Sequence, residues 1–431
     1  MSAFVVVFII SLLIPISVEL GSVRLSAYRV VLLITMAQTV RLFLSGQAGA
    51  VRVADISVFV ICFWSSLSLI VLHGIAEVIE PVGILNIELL GAYLLGRVYI
   101  RTPDDFYKMV RLLFIIGMIM LPFAIFEAIT GQKLFVRLFA LIGADFPHND
   151  MGKRLGLTRV QGTLEHPILY GVFFGSLIGL VYYVLGYGRS FMVRVFATLL
   201  IFGTGALSLS SGPLAAMTTQ LYLVAWDTIL KGFRQRWYVF LALCVLAYIT
   251  VDTISTRDPF RVFAYYFSFS AETAYNRIFI FDAGVQNMLA YPVFGIGQND
   301  WERAAFMSSS FDMFWMLQGM TYGVIVLVGY LTFFFSIIFA VVWVKDLDER
   351  VSWHRMGFVT TMFGFFIAGW TVHYWNTTYV HFVFISASGI WIADHVGTHS
   401  EDQENAEEVE GPKVLYTRFR AAGADTSSEV T

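Results

Sequence analysis

The chain carries little charge. Only 14% of its 431 residues are Asp, Glu, Lys or Arg, whereas soluble domains carry about 25%. Hydrophobic residues make up 58% of the sequence and the mean hydropathy is +0.72. This composition excludes an ordinary soluble domain and is typical of a protein that crosses a membrane many times.

Cysteine is almost absent, and the usual ligands for metals are not clustered. Cys62 and Cys244 both lie in apolar segments, so the sequence predicts neither a disulfide nor a thiolate metal site. The sequence also contains no nucleophile elbow and no Asp-rich motif for divalent cations. We therefore expect no metal, no other cofactor and no nucleic-acid partner.

Long apolar runs are abundant instead. About 20 apolar residues cross a bilayer as a helix, and the sequence predicts an all-α polytopic bundle of about 12 spans. The predicted spans are 3–19, 28–46, 55–74, 82–100, 109–130, 167–187, 191–209, 213–230, 236–253, 318–344, 356–372 and 375–394. The first run lacks a basic stretch before it and a small-residue cleavage site after it, so we interpret it as a helix rather than a secretory signal.

The positions of Lys and Arg predict the orientation of these spans. Cytoplasmic connections are rich in Lys and Arg. Basic residues mark the fourth, sixth, eighth and tenth connections: Arg97, Arg101, Lys108, Arg111, Arg189, Arg194, Lys231, Arg234, Arg236, Lys345, Arg350 and Arg355. Parity then places both termini in the cytoplasm and the loops 131–166 and 254–317 outside. Arg24 and Arg29 in the first connection go against this assignment.

The predicted domain division is simple. Residues 1–395 form one transmembrane domain, and the large outer loop 254–317 contains short amphipathic helices. Residues 396–431 are acidic at first and then mixed, which predicts a disordered cytoplasmic tail.

The first polar constellation lies in the outer loop before the sixth span. Arg154 and Arg159 precede Glu165 and His166, and Pro167 suits the first turn of a helix. A helix N-terminus and two guanidinium forks together favour a bound diphosphate. An ion pair between Arg159 and Glu165 that holds the loop is the alternative interpretation.

The second constellation surrounds Arg277. Residues 277–289 show helical spacing, which predicts an amphipathic helix near the membrane surface with Arg277 at its start. At this position Arg277 faces an anion or pairs with Asp282 or Glu272, and the sequence leaves both interpretations open.

Two glycines follow this helix. Gly295 and Gly297 permit a tight turn or a close approach of the backbone. A lone Gly-x-Gly is weak support for a nucleotide site, because no strand–helix fingerprint surrounds it.

The third constellation is Ser308–Asp312, which leads into the tenth span. Asp312 at a helix start is interpreted either as a cap or as a carboxylate that accepts a proton from a sugar hydroxyl. Glu88 inside the fourth span, and His373 and His381 at the last hairpin, are further candidates, each with a structural alternative.

These outer elements resemble a known family. The pattern Arg159-x-x-Gly162-x-x-x-His166-Pro167, followed by Arg277 and Pro292-x-x-Gly295-x-Gly297, is similar to that of the O-antigen ligase and O-antigen polymerase superfamily. The resemblance covers roughly residues 110–345. It implies a GT-C type glycosyltransferase of the bacterial inner membrane that takes a glycan from an undecaprenyl-diphosphate carrier at the periplasmic face.

The resemblance also implies roles for particular residues. Arg159 and Arg277 hold the diphosphate, assisted by Arg154 and His166, and the transfer is inverting and independent of metal. Ligases carry a His-Asn pair after the large loop, whereas this chain has Ser310-Phe311-Asp312. This departure favours a polymerase, with Asp312 or Glu165 as the general base.

Three catalytic or transport functions therefore stay open, besides a membrane scaffold without catalysis. A polymerase would join lipid-linked oligosaccharide repeats for O-antigen, capsule or exopolysaccharide, in company with a chain-length regulator and a flippase. A ligase would move the finished glycan onto lipid A core or another acceptor. A transporter or flippase of lipid-linked sugars also fits about 12 spans, but transporters place charges near the membrane midplane.

Overall fold

The computed structural model describes residues 1–20, 23–141, 151–256, 258–266 and 271–395. It is 73% helical, far above the roughly 30–35% of an average soluble domain, so helix packing alone builds the fold. Seven helices in this part of the chain are long and apolar enough to cross a membrane: Ala27–Leu44, Val53–His73, Ile75–Tyr99, Pro103–Thr130, Pro167–Leu185, Arg236–Ile254 and Val324–Val342. The all-helical class is therefore confirmed, and the seven apolar helices are compatible with several membrane crossings.

The first half of the chain begins with a short helix and a hairpin. Its elements are α1 Ala3–Ser11, β1 Ser17–Leu20, β2 Val23–Ser26, α2 Ala27–Leu44, α3 Val53–His73, α4 Ile75–Asn86, α5 Ala92–Tyr99, α6 Pro103–Thr130 and α7 Leu134–Ala140. A π-helical turn, Ile87–Gly91, joins α4 to α5.

The second half contains the remaining helices. They are α8 Pro167–Gly175, α9 Ile178–Leu180, α10 Phe191–Ala206, α11 Ser211–Ile229, α12 Arg236–Ile254, α13 Pro259–Tyr266, α14 Ala271–Ala290, α15 Phe314–Tyr322, α16 Val324–Val342, α17 Glu349–Gly369 and α18 Asn376–Ser388. A second π-helical turn, Val181–Leu185, follows α9, and a 3₁₀ turn, Ile390–Asp394, follows α18. Helices α13 and α14 lie in the segment for which the sequence predicts short amphipathic helices.

The predicted first span, 3–19, is wrong beyond Ser11. Helix α1 ends there, and β1 pairs antiparallel with β2, with Ser17 opposite Ser26. Pro15 explains the stop, because a proline lacks the N–H of a helical hydrogen bond and disfavours helical backbone in the residue before it.

The fourth and tenth spans also differ from the prediction. Helix α4 begins at Ile75 rather than 82, directly after Gly74, whose φ is 79°. Glu77 and Glu80 therefore lie on a helix and not in a loop. The predicted span 318–344 is broken at Gly323, which has φ 93° and separates α15 from α16.

The bundle has two distinct ends. At one end, polar contacts join the first residue, the start of α6, the start of α17 and the last described residues: Met1 with Asp105, Arg350 with Asp104 at 2.6 Å, Arg101 with Asp394 at 2.9 Å, and His395 with Asp348 at 3.0 Å. Helix α6 runs from this end for 28 residues, or about 42 Å at 1.5 Å per residue. At its other end the Thr158 N–H donates to the Ala128 carbonyl at 2.9 Å.

Helix α12 differs from the other six long apolar helices because none of its residues is buried. Its start is held by an ion pair between Arg236 and Asp227 at 2.8 Å, and the indole N–H of Trp226 donates to the Arg236 carbonyl at 3.0 Å. It therefore lies at the periphery of the bundle. The predicted tail, 396–431, is outside the described residues.

Candidate functional site

A cavity of about 190 Å³ lies at the end of the bundle where α6 finishes. Four charged side chains predicted from the sequence line this cavity, namely Arg154, Arg159, Arg277 and Asp312. They come from the loop before α8, from α14 and from the segment before α15. The start of α11 and the segment after α17 complete the wall. We call this the arginine cavity.

Arg159 is buried in this wall, with 6% of its surface exposed. Its guanidinium donates to the Ser210 hydroxyl at 2.7 Å and to the Ser208 carbonyl at 3.4 Å, and it contacts the Met151 sulfur at 3.0 Å. No carboxylate pairs with it among the described residues, so the alternative Arg159–Glu165 ion pair is not formed. Burial lowers the pKa of Arg159 to about 10, with a further contribution from the Arg154 charge, and the group stays cationic at neutral pH.

Arg277 reaches the same cavity from α14. It lies in the second turn of that helix and not at its start, because α14 begins six residues earlier, at Ala271. Its side chain is buried and donates to the Ser211 hydroxyl at 2.9 Å. Burial lowers the pKa of Arg277 to about 10, against the opposing effect of the Asp312 carboxylate. Asp282, a predicted alternative partner, instead accepts from Arg261 at 3.1 Å.

Arg154 is held by a tight turn of the loop. Leu155 and Gly156 have φ of 52° and 79°, and the backbone of Arg154 pairs with that of Leu157. The Arg154 guanidinium donates to the Leu209 carbonyl at 2.9 Å. Leu209 itself has φ 47°, a conformation that is unfavourable for a side chain of this size, so backbone strain lies beside the arginine contacts.

The N-terminus of α11 is the part of the cavity that sequence reasoning missed. Ser210 and Ser211 bind Arg159 and Arg277 respectively, and Gly212 and Pro213 follow in the first turn. A helix N-terminus presents unpaired N–H groups and a positive partial charge. The run Ser-Ser-Gly-Pro could have identified this helix start from the sequence, since serine before a first-turn proline is typical of one.

Asp312 does not cap α15, which is one of the two predicted interpretations. The residue in the capping position is Met313, whose side chain makes no cap hydrogen bond. The Asp312 carboxylate accepts from the Ser310 hydroxyl at 2.7 Å and acts electrostatically on Arg277. It is the carboxylate in the wall of the arginine cavity.

His166 caps α8. Its Nδ1 accepts from the Ile168 N–H at 3.1 Å, and its ring lies 5.9 Å from that of Trp375. Burial, with smaller effects of Arg159 and Lys133, lowers the pKa of His166 to about 4. The imidazole is therefore neutral at pH 7, and its proton lies on Nε2.

Glu165 lies in a different cavity from Asp312. Its carboxylate accepts from the Trp375 indole at 3.1 Å and from the Asn376 amide at 2.5 Å. This second cavity, of about 360 Å³, also exposes Arg29 and Thr163. The two carboxylates proposed as alternative bases are therefore separated by the fold.

Gly162 forms the turn that carries Arg159 toward the cavity. It has φ 59°, and a Cβ there would lie 2.8 Å from the Tyr170 ring. The buried Glu127 carboxylate accepts from the Gln161 and Gly162 N–H groups at 3.0 and 3.2 Å. Glu127 was not identified from the sequence, although a carboxylate inside an apolar run often marks a functional position.

Gly295 and Gly297 form a loop that closes on the break between α15 and α16. Their φ angles are 67° and 62°, and Gly297 donates to the Thr321 carbonyl at 2.9 Å. The neighbouring Gln298 N–H donates to His73 at the end of α3, at 2.9 Å. The glycines thus permit a close backbone approach, and they do not line the arginine cavity.

The other candidates have structural partners. Glu88 accepts from Arg29 and from the Tyr28 hydroxyl, both at 2.8 Å, and His381 lies 3.0 Å from the Ser176 hydroxyl. His373 lines a third cavity, of about 430 Å³, together with Gly297. Within the described ranges no three His, Cys, Asp or Glu side chains gather as a metal site would require.

The arginine cavity is therefore a cationic site at one end of an all-helical membrane bundle. Three guanidinium groups and one carboxylate surround it, and this arrangement suits an anion with several oxygens. Comparison with protein-family models gave no match for the chain, and no curated protein matches it significantly.

Proposed function

We propose that the protein is a polysaccharide polymerase that joins undecaprenyl-diphosphate-linked oligosaccharide repeats at the periplasmic face of a bacterial inner membrane. The observation that carries this proposal is Arg159, which is buried beside Arg277 and has only neutral partners among the described residues. A buried cation costs several kcal/mol unless an anion compensates it. A diphosphate in the arginine cavity supplies that anion.

The charges around the cavity favour a diphosphate over a single carboxylate. Three arginines and one aspartate line it, which leaves an excess of positive charge. The N-terminus of α11 adds backbone N–H groups to the same wall. Each arginine offers a planar fork of donors that matches phosphate oxygens.

This arrangement fits a glycosyl transfer. An acceptor hydroxyl attacks the anomeric carbon, the bond from that carbon to the diphosphate oxygen breaks, and the hydroxyl proton passes to a base. Negative charge grows on the departing diphosphate, so Arg159 and Arg277 stabilise the transition state more than the ground state. Asp312, in the same wall, is our candidate base.

The proposed topology has about 12 spans with both termini in the cytoplasm. Contacts at one end of the bundle hold Met1 near Asp105 and His395 near Asp348. The basic residues Arg101 and Arg350 lie at that same end, which favours the cytoplasmic side. The arginine cavity then opens at the periplasmic side.

A ligase is the alternative within the same chemistry, because both enzymes bind the same donor. The stretch Ser310-Phe311-Asp312, in place of the His-Asn pair of ligases, supports the polymerase. A transporter is less well supported, because Arg29 and Tyr28 compensate the intramembrane Glu88.

The test is the length of the surface polysaccharide after deletion of the gene in its own host. A polymerase predicts single repeats on the final acceptor and restoration of long chains by the intact gene. Long chains that accumulate on the undecaprenyl carrier would support the ligase instead. Lipid-linked repeats confined to the cytoplasmic leaflet would support a flippase.

A further inference from the structure

The cavity that holds Glu165, the glutamate cavity, has the composition of a sugar site. Its volume of about 360 Å³ falls within the roughly 300–1,000 Å³ of small-molecule sites. The wall mixes charged, amide and hydroxyl side chains with apolar ones, among them Arg29, Glu165, Asn376, Thr163, Pro15 and Leu169. Donors and acceptors among apolar groups suit a neutral, hydroxylated ring.

One buried hydroxyl in this wall lacks a partner. Thr163 is 6% exposed, and its Oγ1 makes no hydrogen bond to any described residue. Buried polar atoms are nearly always paired in native proteins. The Oγ1 atom is closed off from solvent in this structure, so a ligand hydroxyl would supply the missing partner once the Thr163 side chain turns toward the cavity.

The Glu165 carboxylate is held in place by two donors. Trp375 and Asn376 bind the same oxygen, Oε2, which leaves Oε1 for a further donor. Asn376 has φ 47°, a position where asparagine is tolerated better than most residues. It also accepts from Arg29 at 3.1 Å, so one amide links the carboxylate to the arginine.

The glutamate and arginine cavities share two walls. The segment 159–169 contributes Arg159 and Ile168 to the arginine cavity and Glu165 to the glutamate cavity. The segment after α17 contributes Thr371 and Val372 to the first and residues 376–377 to the second. Two ligands, one in each cavity, would therefore contact the same two segments of the chain.

We propose that the glutamate cavity binds the sugar of the acceptor glycan, with Glu165 accepting hydrogen bonds from its hydroxyls. This inference rests on the proposed function, because it assigns the acceptor to the cavity next to the diphosphate. Glu165 then acts in acceptor binding, and the role of base remains with Asp312.

The experiment compares two probes on purified protein in lipid nanodiscs. The first is undecaprenyl diphosphate without sugar, and the second is the oligosaccharide released by mild acid from the lipid-linked glycans of the host. Glu165→Gln keeps the shape of the side chain but removes its charge. We expect it to weaken oligosaccharide binding roughly tenfold, as for loss of a hydrogen bond to a charged group, and to leave undecaprenyl diphosphate binding unchanged.

Two further variants separate binding from folding. Trp375→Phe keeps an aromatic ring but removes the indole N–H that donates to Glu165, and we expect a smaller loss of affinity, for the oligosaccharide alone. Glu77→Gln is the matched control, because Glu77 is exposed and outside the wall of the cavity. We expect this variant to bind both probes normally.

Each remaining outcome has a definite meaning. If Glu165→Gln binds the oligosaccharide normally, or if it weakens undecaprenyl diphosphate instead, the acceptor assignment is wrong while the donor site stands. If the unaltered protein binds the oligosaccharide but not undecaprenyl diphosphate, the proposed function is wrong.

Discussion

Arg159 and Arg277 are far apart in the sequence and bind adjacent serines in the fold. Each was identified from the sequence because an arginine in a loop that should lie outside needs either an acid or an anion. The structure gives the two residues different surroundings. Asp312 lies near Arg277, whereas the contacts of Arg159 in the described residues are neutral.

Arg159→Lys and Arg277→Lys should each reduce polymerisation at least about tenfold, because lysine keeps the charge and loses the bidentate fork. Chain length in the deletion host, complemented with each variant, is the measurement. Arg261→Lys is the control, since Arg261 is 44% exposed and pairs with Asp258 and Asp282. Full activity in both test variants would contradict the diphosphate clamp.

His166 predicts a pH dependence of stability. Its pKa is lowered from 6.5 to about 4 in the folded protein, so the unfolded chain binds an extra proton between these values. The contribution of His166 is therefore complete above about pH 6.5 and is lost as the pH falls toward 4. In detergent, the unfolding temperature of His166→Asn should fall less between pH 6.5 and pH 4 than that of the unaltered protein. Asparagine keeps an acceptor that caps the helix. If the unfolding temperatures of both proteins fall equally with pH, His166 does not cause the pH dependence.

The residue types of the site were largely predictable, but their partners were not. Charge in loops predicted to lie outside singled out Arg154, Arg159 and Arg277. Their contacts with Ser210, Ser211 and the Leu209 carbonyl join segments that no local pattern connects. Periodicity and composition describe neighbours along one element, and they carry no information on which loops meet.

Helix α11 shows how a short segment completes the site. The sequence placed a break near Ser211–Pro213 but assigned it no function. In the structure this break is the helix start that meets both arginines. A Cβ on Gly212 would lie 2.7 Å from Thr371 Oγ1 and 2.8 Å from Val372, so the glycine permits α11 to pack against the segment shared by the two cavities.

Gly212→Ala should therefore disturb the wall of the arginine cavity. We expect weaker undecaprenyl diphosphate binding and lower activity, because the segment after α17 must move to admit the methyl group. Gly203→Ala in α10 is the matched control, since a Cβ there meets nothing within 4 Å. It should leave activity unchanged. Equal binding and activity of the two variants would mean that the packing at Gly212 does not affect function.

The positions of helix ends were less predictable than the helices themselves. Apolar runs located the long helices. Counting about 20 residues for each span nevertheless extended the first predicted span past Pro15 and the tenth across Gly323. Local backbone chemistry decided both cases, because proline and a positive-φ glycine interrupt a helix whatever the hydropathy of the run. The start of α14 was missed because the residues before Arg277 are polar.

The molecule as a whole has two ends: at one, Met1 contacts Asp105 and the last described residues contact Arg101 and Asp348, and at the other lie three cavities. The arginine cavity, the glutamate cavity and the cavity beside His373 all use residues of the segment 371–377. This segment is therefore the common wall of the proposed active centre. The sequence offered only His373 there as a candidate.

Cysteine labelling tests the sidedness of these two ends. In a Cys244→Ser background, which removes the exposed native thiol, Leu155→Cys should react with a membrane-impermeant maleimide added to spheroplasts. Lys345→Cys should react only after permeabilisation. Leu155 is 84% exposed and Lys345 is also exposed, so access within the protein does not limit the reaction. Labelling of both positions from the same side would refute the topology.

The central claim is that the arginine cavity holds the diphosphate of a lipid-linked donor. The most direct measurement is a cryo-electron microscopy structure of the protein in nanodiscs with undecaprenyl diphosphate. The account predicts phosphate oxygens at about 3 Å from the guanidinium nitrogens of Arg159 and Arg277, at the N-terminus of α11. A diphosphate bound elsewhere would contradict it, if Arg159 and Arg277 are still hydrogen-bonded to Ser210 and Ser211 and have no phosphate beside them.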